Sequence, residues 1–327
     1  MKNILVTGAA GFIGFHLIKR LCSNNFAVVG IDNINDYYDI NLKNDRLRNL
    51  EYKNFIFLNH DLSRDDFLDE IFIKHKFDTV IHLAAQAGVR YSIENPLAYG
   101  ESNLTGFINI IEASRKFKVN NFLYASSSSV YGRNKETPFK ESHKTENIVS
   151  LYAATKKSNE IIAETFSKMY SLPVIGLRFF TVYGPFGRPD MAYFKFTKSI
   201  LEGKEIEIFN NGELYRDFTH IDDIVEGIIK ILERIENTSI NNNENLSKIF
   251  NIGRGNSIKL TDFIEELEIN LNKSAKKIYV EMQLGDVFKT YADIRSLQDF
   301  CGYNPKVDFK SGIKDFVNWY LSYYHNE

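Results

Sequence analysis

Cysteine is scarce in this chain of 327 residues: Cys22 and Cys301 are the only two, far apart and in unlike surroundings. That excludes a disulfide framework and a cysteine-based metal site, and it suits a reducing compartment. No apolar run is long enough to span a bilayer. The apolar stretch after Met1-Lys2 imitates part of a signal peptide, but Thr7, Gly8, Gly11, Gly14 and His16 interrupt it and no small-residue cleavage pattern follows. An excess of one charge is lacking too, since 40 Lys and Arg face 42 Asp and Glu for a net charge of -2. Without a basic footprint, neither nucleic acid nor a membrane surface is an expected partner. Any phosphate-bearing ligand must then be held locally, by backbone amides and a few placed cations. A cytoplasmic protein without a metal site is expected.

The chain does have enough apolar residues, 44%, for a sizeable core, and length enough for two lobes of ~100–200 residues each. Its first half alternates short β-branched runs with amphipathic segments. Strands are expected at 3–7, 27–32, 55–59, 79–83, 121–126 and 173–179, and helices at 12–23, 65–74, 103–117 and 152–170. Such alternation implies βαβ units and a doubly wound parallel sheet, the Rossmann arrangement, with ligands beyond the carboxyl ends of the strands. Residues 1–180 are expected to form that domain and 181–327 a smaller C-terminal α/β lobe for substrate, with 221–253 returning to the main sheet. The asparagine-rich stretch 237–245 reads as a solvated loop.

Thr7-Gly8-Ala9-Ala10-Gly11-Phe12-Ile13-Gly14 follows directly on Ile4-Leu5-Val6. Glycines there permit a tight strand-to-helix turn and close approach of backbone to a pyrophosphate, although packing alone also calls for such a turn. The next strand ends in Asp32, placed to bind adenosine ribose hydroxyls and to repel a 2′-phosphate, which favours NAD over NADP. Asp61-Leu62 and Leu83-Ala84-Ala85-Gln86 stand at the ends of the third and fourth strands, where adenine and the cofactor backbone would pass.

Tyr152 and Lys156 lie one helical turn apart and face the same way. A phenol is a poor base at neutral pH unless a neighbouring cation favours the phenolate, and Lys156 is such a cation. By spacing alone the two also suit an ordinary surface pair. Ser126-Ser127-Ser128-Ser129-Val130-Tyr131-Gly132 ends the fifth strand and brings hydroxyls to the ligand side, or else makes a serine-rich turn.

Together these three segments resemble the extended short-chain dehydrogenase/reductase family, and within it the nucleotide-sugar epimerases. The similarity runs over essentially the whole chain, including Leu177-Arg178-Phe179-Phe180-Thr181-Val182-Tyr183-Gly184-Pro185 and Arg216-Asp217-Phe218-Thr219-His220-Ile221-Asp222-Asp223. Asp32-Asn33-Ile34-Asn35-Asp36-Tyr37-Tyr38-Asp39, Gly88-Val89-Arg90-Tyr91-Ser92 and Gly187-Arg188-Pro189-Asp190-Met191-Ala192 look most like the members that act on UDP-glucuronate.

The resemblance implies catalytic roles for Ser127, Tyr152 and Lys156. It implies NAD contacts from Gly8, Gly11, Phe12, Ile13, Gly14, Asp32, Asn33, Asp61, Leu62, Leu83, Ala84, Ala85, Gln86, Asn103, Tyr152, Lys156 and Phe179. For a UDP-sugar it implies Arg90, Ser127, Ser128, Ser129, Thr181, Arg188, Glu207, Phe209, Arg216 and Asp286. Tyr152 would take the C4 hydroxyl proton while hydride passes to NAD, and the 4-ketose would turn over and be reduced on its other face. Related dehydratases and decarboxylases carry carboxyl groups where this chain has Ser128-Ser129, so hydroxyls there disfavour those reactions. Gln283 matches the glucuronate enzymes and Leu284 departs from their usual Gln-Pro. A neutral UDP-hexose or UDP-N-acetylhexosamine is the alternative substrate, and a non-catalytic NAD-binding protein the alternative class. A homodimer through a helix bundle is also implied, with Leu104, Phe107, Ile111, Ile162, Phe166 and Met169 as seam residues, though burial within one subunit suits them too.

Overall fold

Runs of Ile, Leu and Val build the centre of the fold, as befits parallel strands covered on both faces. A computed structural model describes residues 2–64, 66–237, 246–282 and 287–325. The chain divides into two compact units, the first of residues 1–134, 144–179 and 228–250, the second of 135–143, 180–227 and 251–327.

Strands β1 (Asn3–Thr7), β2 (Ala27–Asp32), β3 (Phe55–Asn59), β4 (Thr79–His82), β5 (Asn121–Ser127) and β6 (Val174–Phe179) pair in parallel in the order β3-β2-β1-β4-β5-β6. The strand Ser247–Ile252 lies beside β6 as the seventh. Strand order reverses between β1 and β4, the switch point at which ligands of open α/β sheets bind. β6 begins one residue after the expected start because Pro173 has no N–H to donate.

Helix α1 (Phe12–Ser23) buries Phe12, Phe15, Leu17, Ile18 and Leu21. A second helix, α2 (Ile40–Arg48), was not expected from the sequence. Its buried positions are Leu42, Lys43 and Arg46, so no apolar stripe announces it, although Asp39 caps its start by accepting from Asn41 N. α3 (Leu68–His75) starts later than the expected 65, and Asp65 lies outside the described residues. Short helices α4 (Tyr91–Glu94) and α5 (Pro96–Tyr99) lead into a π-helical turn, Gly100–Thr105, and then α6 (Gly106–Lys116). α7 (Leu151–Tyr170) is capped by Ser150, whose Oγ accepts from Ala153 N at 3.1 Å. Phe107, Ile111, Phe122 and Val174 share one core cluster, so Phe107 and Ile111 are core residues and not available for a dimer seam. Of the asparagine-rich stretch 237–245 only Asn237, its first residue, is described, and 238–245 lie outside the described residues.

In the second unit, Thr181–Tyr183 pairs in parallel with Phe218–His220 and Glu205–Phe209 with Lys276–Val280, while Tyr215–Arg216 joins Ile258–Lys259 and Lys289–Thr290. An aromatic core of Tyr183, Tyr193, Phe218, Phe263, Phe316 and Tyr320 holds these short pieces together. Among the described residues, no helix is long and apolar enough to cross a membrane.

Candidate active site

The turn from β1 into α1 is shaped by glycines that no larger residue replaces. Gly8 has φ +73°, and a Cβ there would sit 2.9 Å from Ala84 N. A Cβ on Gly14 would lie 2.0 Å from Gly8 O, deep inside contact distance. No side chain caps α1 and no acidic residue stands in its first turn, so its N–H groups and partial positive charge face the turn. This cradle, open where side chains would otherwise fill it, fits the pyrophosphate of a dinucleotide.

Ala10 is gripped from two directions. Its N–H donates to Asp32 Oδ2 at 3.0 Å and its carbonyl accepts from Arg46 Nη1 at 2.8 Å. Asp32 Oδ1 accepts from Ile34 N at 2.8 Å. Burial pushes the Asp32 carboxyl up, against the pull of these N–H groups and of Lys43 and Arg46. Asn33 Nδ2 donates to Asp61 Oδ2 at 2.9 Å. Partial burial raises Asp61, but the bonds from Asn33 and Ser63 outweigh it and hold the carboxyl below its ordinary range. Asn33 and Asp61 line a polar cavity of about 480 Å³ together with His60 and Phe67, whose rings stack at 4.1 Å. Leu62 is buried in the core, so its backbone is what it offers a ligand.

At the end of β4, Leu83 N donates to Thr7 O and Ala84 N to Thr7 Oγ1, at 3.2 and 3.1 Å. Thr7 Oγ1 also lies 2.8 Å from His82 Nδ1. Burial, reinforced by the Lys156 ammonium, drives His82 down to about 3 and keeps it neutral. Gln86 N donates to Asn103 Oδ1 at 2.7 Å, while Asn103 Nδ2 donates to Gln86 O and to Thr155 Oγ1, both at 3.0 Å. Both amide hydrogens of the buried Asn103 are therefore engaged by the protein itself, which links the β4 loop to α7.

Ser127 is the last residue of β5, and its Oγ accepts from Ser129 N at 3.2 Å. Ser128 and Ser129 follow in a 3-10 turn, both half-buried. Phe179 is the cross-strand partner of Ser127. Tyr152 and Lys156 project from α7 one turn apart. Lys156 is 2% exposed, donates to Ala125 O at 3.0 Å, and is pushed down to about 8 by burial. The half-buried Tyr152 meets the edge of Tyr99 at 6.1 Å, and Tyr99 OH donates towards Ala87 O at 2.8 Å. The three expected catalytic residues thus stand on β5 and α7 of one unit. Arg90 is exposed at the start of α4.

The other expected ligand residues belong to the second unit. Arg188 forks onto Asp190, with Nε to Oδ1 at 2.9 Å and Nη2 to Oδ2 at 2.5 Å. Its loop is backed by Phe186 against Trp319, 5.1 Å between rings. Thr181 is half-buried and its N–H donates to Asp217 O at 3.1 Å. Glu207 is exposed and Phe209 half-buried on the strand Glu205–Phe209. Arg216 Nη1 donates to Tyr215 O at 3.0 Å. Beside it the buried Asp217 carboxylate accepts from Arg254 N, Gly255 N, Ala292 N and Thr219 Oγ1, fixing the strand on which Arg216 sits. Asp286 lies outside the described residues, with Gln283 and Leu284.

The sequence pattern of the NAD dependent epimerase/dehydratase family matches residues 4–253. The chain belongs to that family. It is 48% identical to Protein CapI of Staphylococcus aureus over 98% of this chain and 99% of that one. It is 46% identical to UDP-glucuronate 4-epimerase 4 of Arabidopsis thaliana over 99% of this chain and 76% of the plant protein. Among solved structures, UDP-glucuronic acid 4-epimerase from Bacillus cereus, crystallised with UDP-glucuronic acid and NAD, superposes with a TM-score of 0.90 at 34% identity, covering 98% of this chain and 100% of that one.

In this member of the NAD dependent epimerase/dehydratase family, several residues beside the site carried no expected role, Thr7 and Asp190 among them although they stand in the quoted motifs. Thr7 and His82 were readable as polar residues that end apolar runs. Asp190 stands two residues from Arg188, so its pairing was open to inference from the turn. Arg46 gave no signal, because a buried cation in a polar helix shows itself only when its partners are brought to it.

Proposed function

We propose that this family member is an NAD-dependent UDP-sugar 4-epimerase that interconverts UDP-glucuronate and UDP-galacturonate. The observation that carries the proposal is the placement of Ser127, Tyr152 and Lys156 on adjoining elements, with hydroxyls and no carboxyl at Ser128 and Ser129. The names of the plant relatives and the ligand of the Bacillus cereus structure support the choice of sugar.

NAD, when bound, accepts a hydride from C4 and returns it. Gly8, Gly11, Phe12, Ile13 and Gly14 would hold its pyrophosphate, Asp32 and Asn33 the adenosine ribose, and Asp61 and Leu62 the adenine. Leu83, Ala84, Ala85, Gln86 and Phe179 would flank the rest, with Asn103 acting through Gln86. Tyr152 takes the proton of the C4 hydroxyl, Ser127 relays it, and the Lys156 ammonium favours the phenolate. After the 4-ketose has turned over, Tyr152 returns the proton to the inverted alcohol, so the net reaction is an isomerisation.

A 4-keto glucuronate is a β-keto acid and loses CO₂ when the breaking bond aligns with the carbonyl π system. Ser128, Ser129, Thr181 and Arg188 are proposed to hold the carboxylate out of that alignment. Phe209 and Glu207 would take the uracil, Arg216 the diphosphate and Asp286 the ribose, with Arg90 near the sugar.

A second reading, a neutral UDP-hexose substrate, is favoured by one observation: the Arg188 fork is already on Asp190. Turnover of UDP-glucuronate against UDP-glucose and UDP-N-acetylglucosamine, followed by chromatography, separates the two. UDP-glucuronate is expected to be converted fastest, and Tyr152→Phe to abolish conversion while NAD stays bound. Preference for a neutral sugar refutes the glucuronate reading.

The reaction is placed in the cytoplasm, which two widely separated cysteines suit. A homodimer is proposed through exposed apolar residues on α6 and α7, Ile108, Ile161, Met169 and Tyr170. Sedimentation at twice the subunit mass, lost in Ile161→Glu, is the expected result.

A further inference from the structure

Helix α7 buries Lys156, Asn159 and Glu160 on the face that carries Ala153 and Ala163, where aliphatic residues are the norm. Glu160 pairs with Arg178 of β6, and both are almost fully buried. Arg178 Nε and Nη2 donate to the two Glu160 oxygens at 2.8 and 2.9 Å. Burial raises the Glu160 carboxyl, but the Arg178 guanidinium and the Ser126 hydroxyl outweigh it and hold it below its ordinary range. Both partners are therefore charged. A buried ion pair is weak evidence for stability, and its best-attested use is to fix register.

Lys157, also on α7, donates to Glu160 Oε2 at 3.2 Å, and two further bonds of the pair reach the serine turn. Ser126 Oγ donates to Glu160 Oε1 at 2.7 Å, and Arg178 Nη1 donates to Tyr131 OH at 2.9 Å. Ser126 directly precedes Ser127, and Tyr131 closes the turn that carries Ser128 and Ser129. One turn earlier on α7, Lys156 Nζ donates to Ala125 O. The end of β5 is thus tied to α7 at two successive helical turns, residue 125 to Lys156 and residue 126 to Glu160.

We propose that Glu160 and Arg178 are positioning residues that, through Ser126 and Tyr131, hold the serine turn in register with Tyr152 and Lys156. The inference rests on the reading of Ser127, Tyr152 and Lys156 as catalytic. A planar guanidinium fork sets both distance and angle, which an apolar contact leaves free to slide.

The test uses the NAD-loaded enzyme and whichever UDP-sugar the wild type converts. Ser126→Ala should lower kcat about ten-fold, as misplacement of reacting groups does, with KM within about two-fold. Ser126→Thr, which keeps the hydroxyl, should restore kcat to within about three-fold of wild type. Tyr131→Phe should lower kcat in the same direction with NAD content unchanged. Wild-type kcat in both Ser126→Ala and Tyr131→Phe overturns the proposal, as does an equal fall in the alanine and threonine variants. The double variant Glu160→Leu with Arg178→Met removes both charges and leaves no lone buried ion. Wild-type kcat in that variant, once folded, also overturns it. If the wild type converts none of the three UDP-sugars, the reading of function fails, and the positioning is judged by the tyrosinate absorbance that Tyr152→Phe removes. Its midpoint should rise by about half a pH unit or more in Ser126→Ala and stay in Ser126→Thr. An unmoved midpoint overturns the proposal.

Discussion

The candidate residues of the two units are held in different ways. In the first unit, buried bonds between distant parts of the chain hold Asn103 itself and the residues next to the others: Asn103 to Thr155, Lys156 to Ala125, Thr7 to His82, Ser126 to Glu160. In the second, Arg188 forks onto a residue two positions away, and Arg216 donates to its own neighbour's carbonyl and, more weakly, to Phe288 O. Long-range bonds in a buried setting fix geometry, because an unmade bond there costs a desolvated group. Short-range pairs at half-exposed positions leave side chains able to exchange one partner for another. On the proposed reading, the first unit would carry chemistry that tolerates little misplacement and the second a recognition that a ligand completes.

The largest effect that tests this contrast falls on the first unit. Gly14→Ala places a Cβ against backbone that has no room to retreat, 2.0 Å from Gly8 O. Loss of bound NAD by at least about a hundred-fold in Kd is expected, or failure to fold, read by absorbance after gel filtration and by circular dichroism. Next comes the second unit. Arg188→Ala should raise KM for UDP-glucuronate about 10- to 100-fold and leave the fold intact, since the side chain is partly exposed. An unchanged KM would remove Arg188 from the carboxylate site and break the comparison on that side.

A smaller effect sharpens the role of burial around Lys156. Burial brings its pKa from 10.5 to about 8, so the rate should fall as pH rises past about 8 and the ammonium is lost. Over the same window stability should rise, because the unfolded lysine keeps until about 10.5 a proton that the folded one has shed. Opposite slopes in rate and in chemical denaturation between pH 8 and 10 are the expected signature; parallel slopes would refute it. The smallest effect concerns His82, whose folded pKa is about 3 against 6.5 unfolded. Between those values the unfolded chain binds the extra proton, so stability falls with pH, by about 1 kcal/mol from pH 6.5 to 5.5. His82→Asn should flatten that slope in denaturant titrations, and a slope left as steep would assign it to other groups.

Much of the first unit was legible because its strands are mainly apolar runs and most of its helices carry apolar stripes. α2 was hidden, since a helix that buries Lys43 and Arg46 has no stripe to read. The helix expected at 103–117 starts inside the π-helical turn Gly100–Thr105 and is regular only from Gly106, because nothing in Asn103 announces that its amide will bridge Gln86 and Thr155. In the second unit the short strands depend on pairing with pieces far along the chain, such as Glu205–Phe209 with Lys276–Val280, and local pattern carries little of that.

Taken by itself, the sequence determined the alternation of strands and helices, the glycine turn, and the spacing that puts Tyr152 and Lys156 on one face. All of these are local, set by side-chain period and by backbone freedom over a few residues. Only the tertiary structure decided that Glu160 would meet Arg178, that Arg46 would grip Ala10 from below the turn, and that Asp190 would occupy Arg188. Which charges are buried, and against what, depends on residues far apart in the chain arriving at one place. That is also what decides whether a lysine keeps its proton at pH 8.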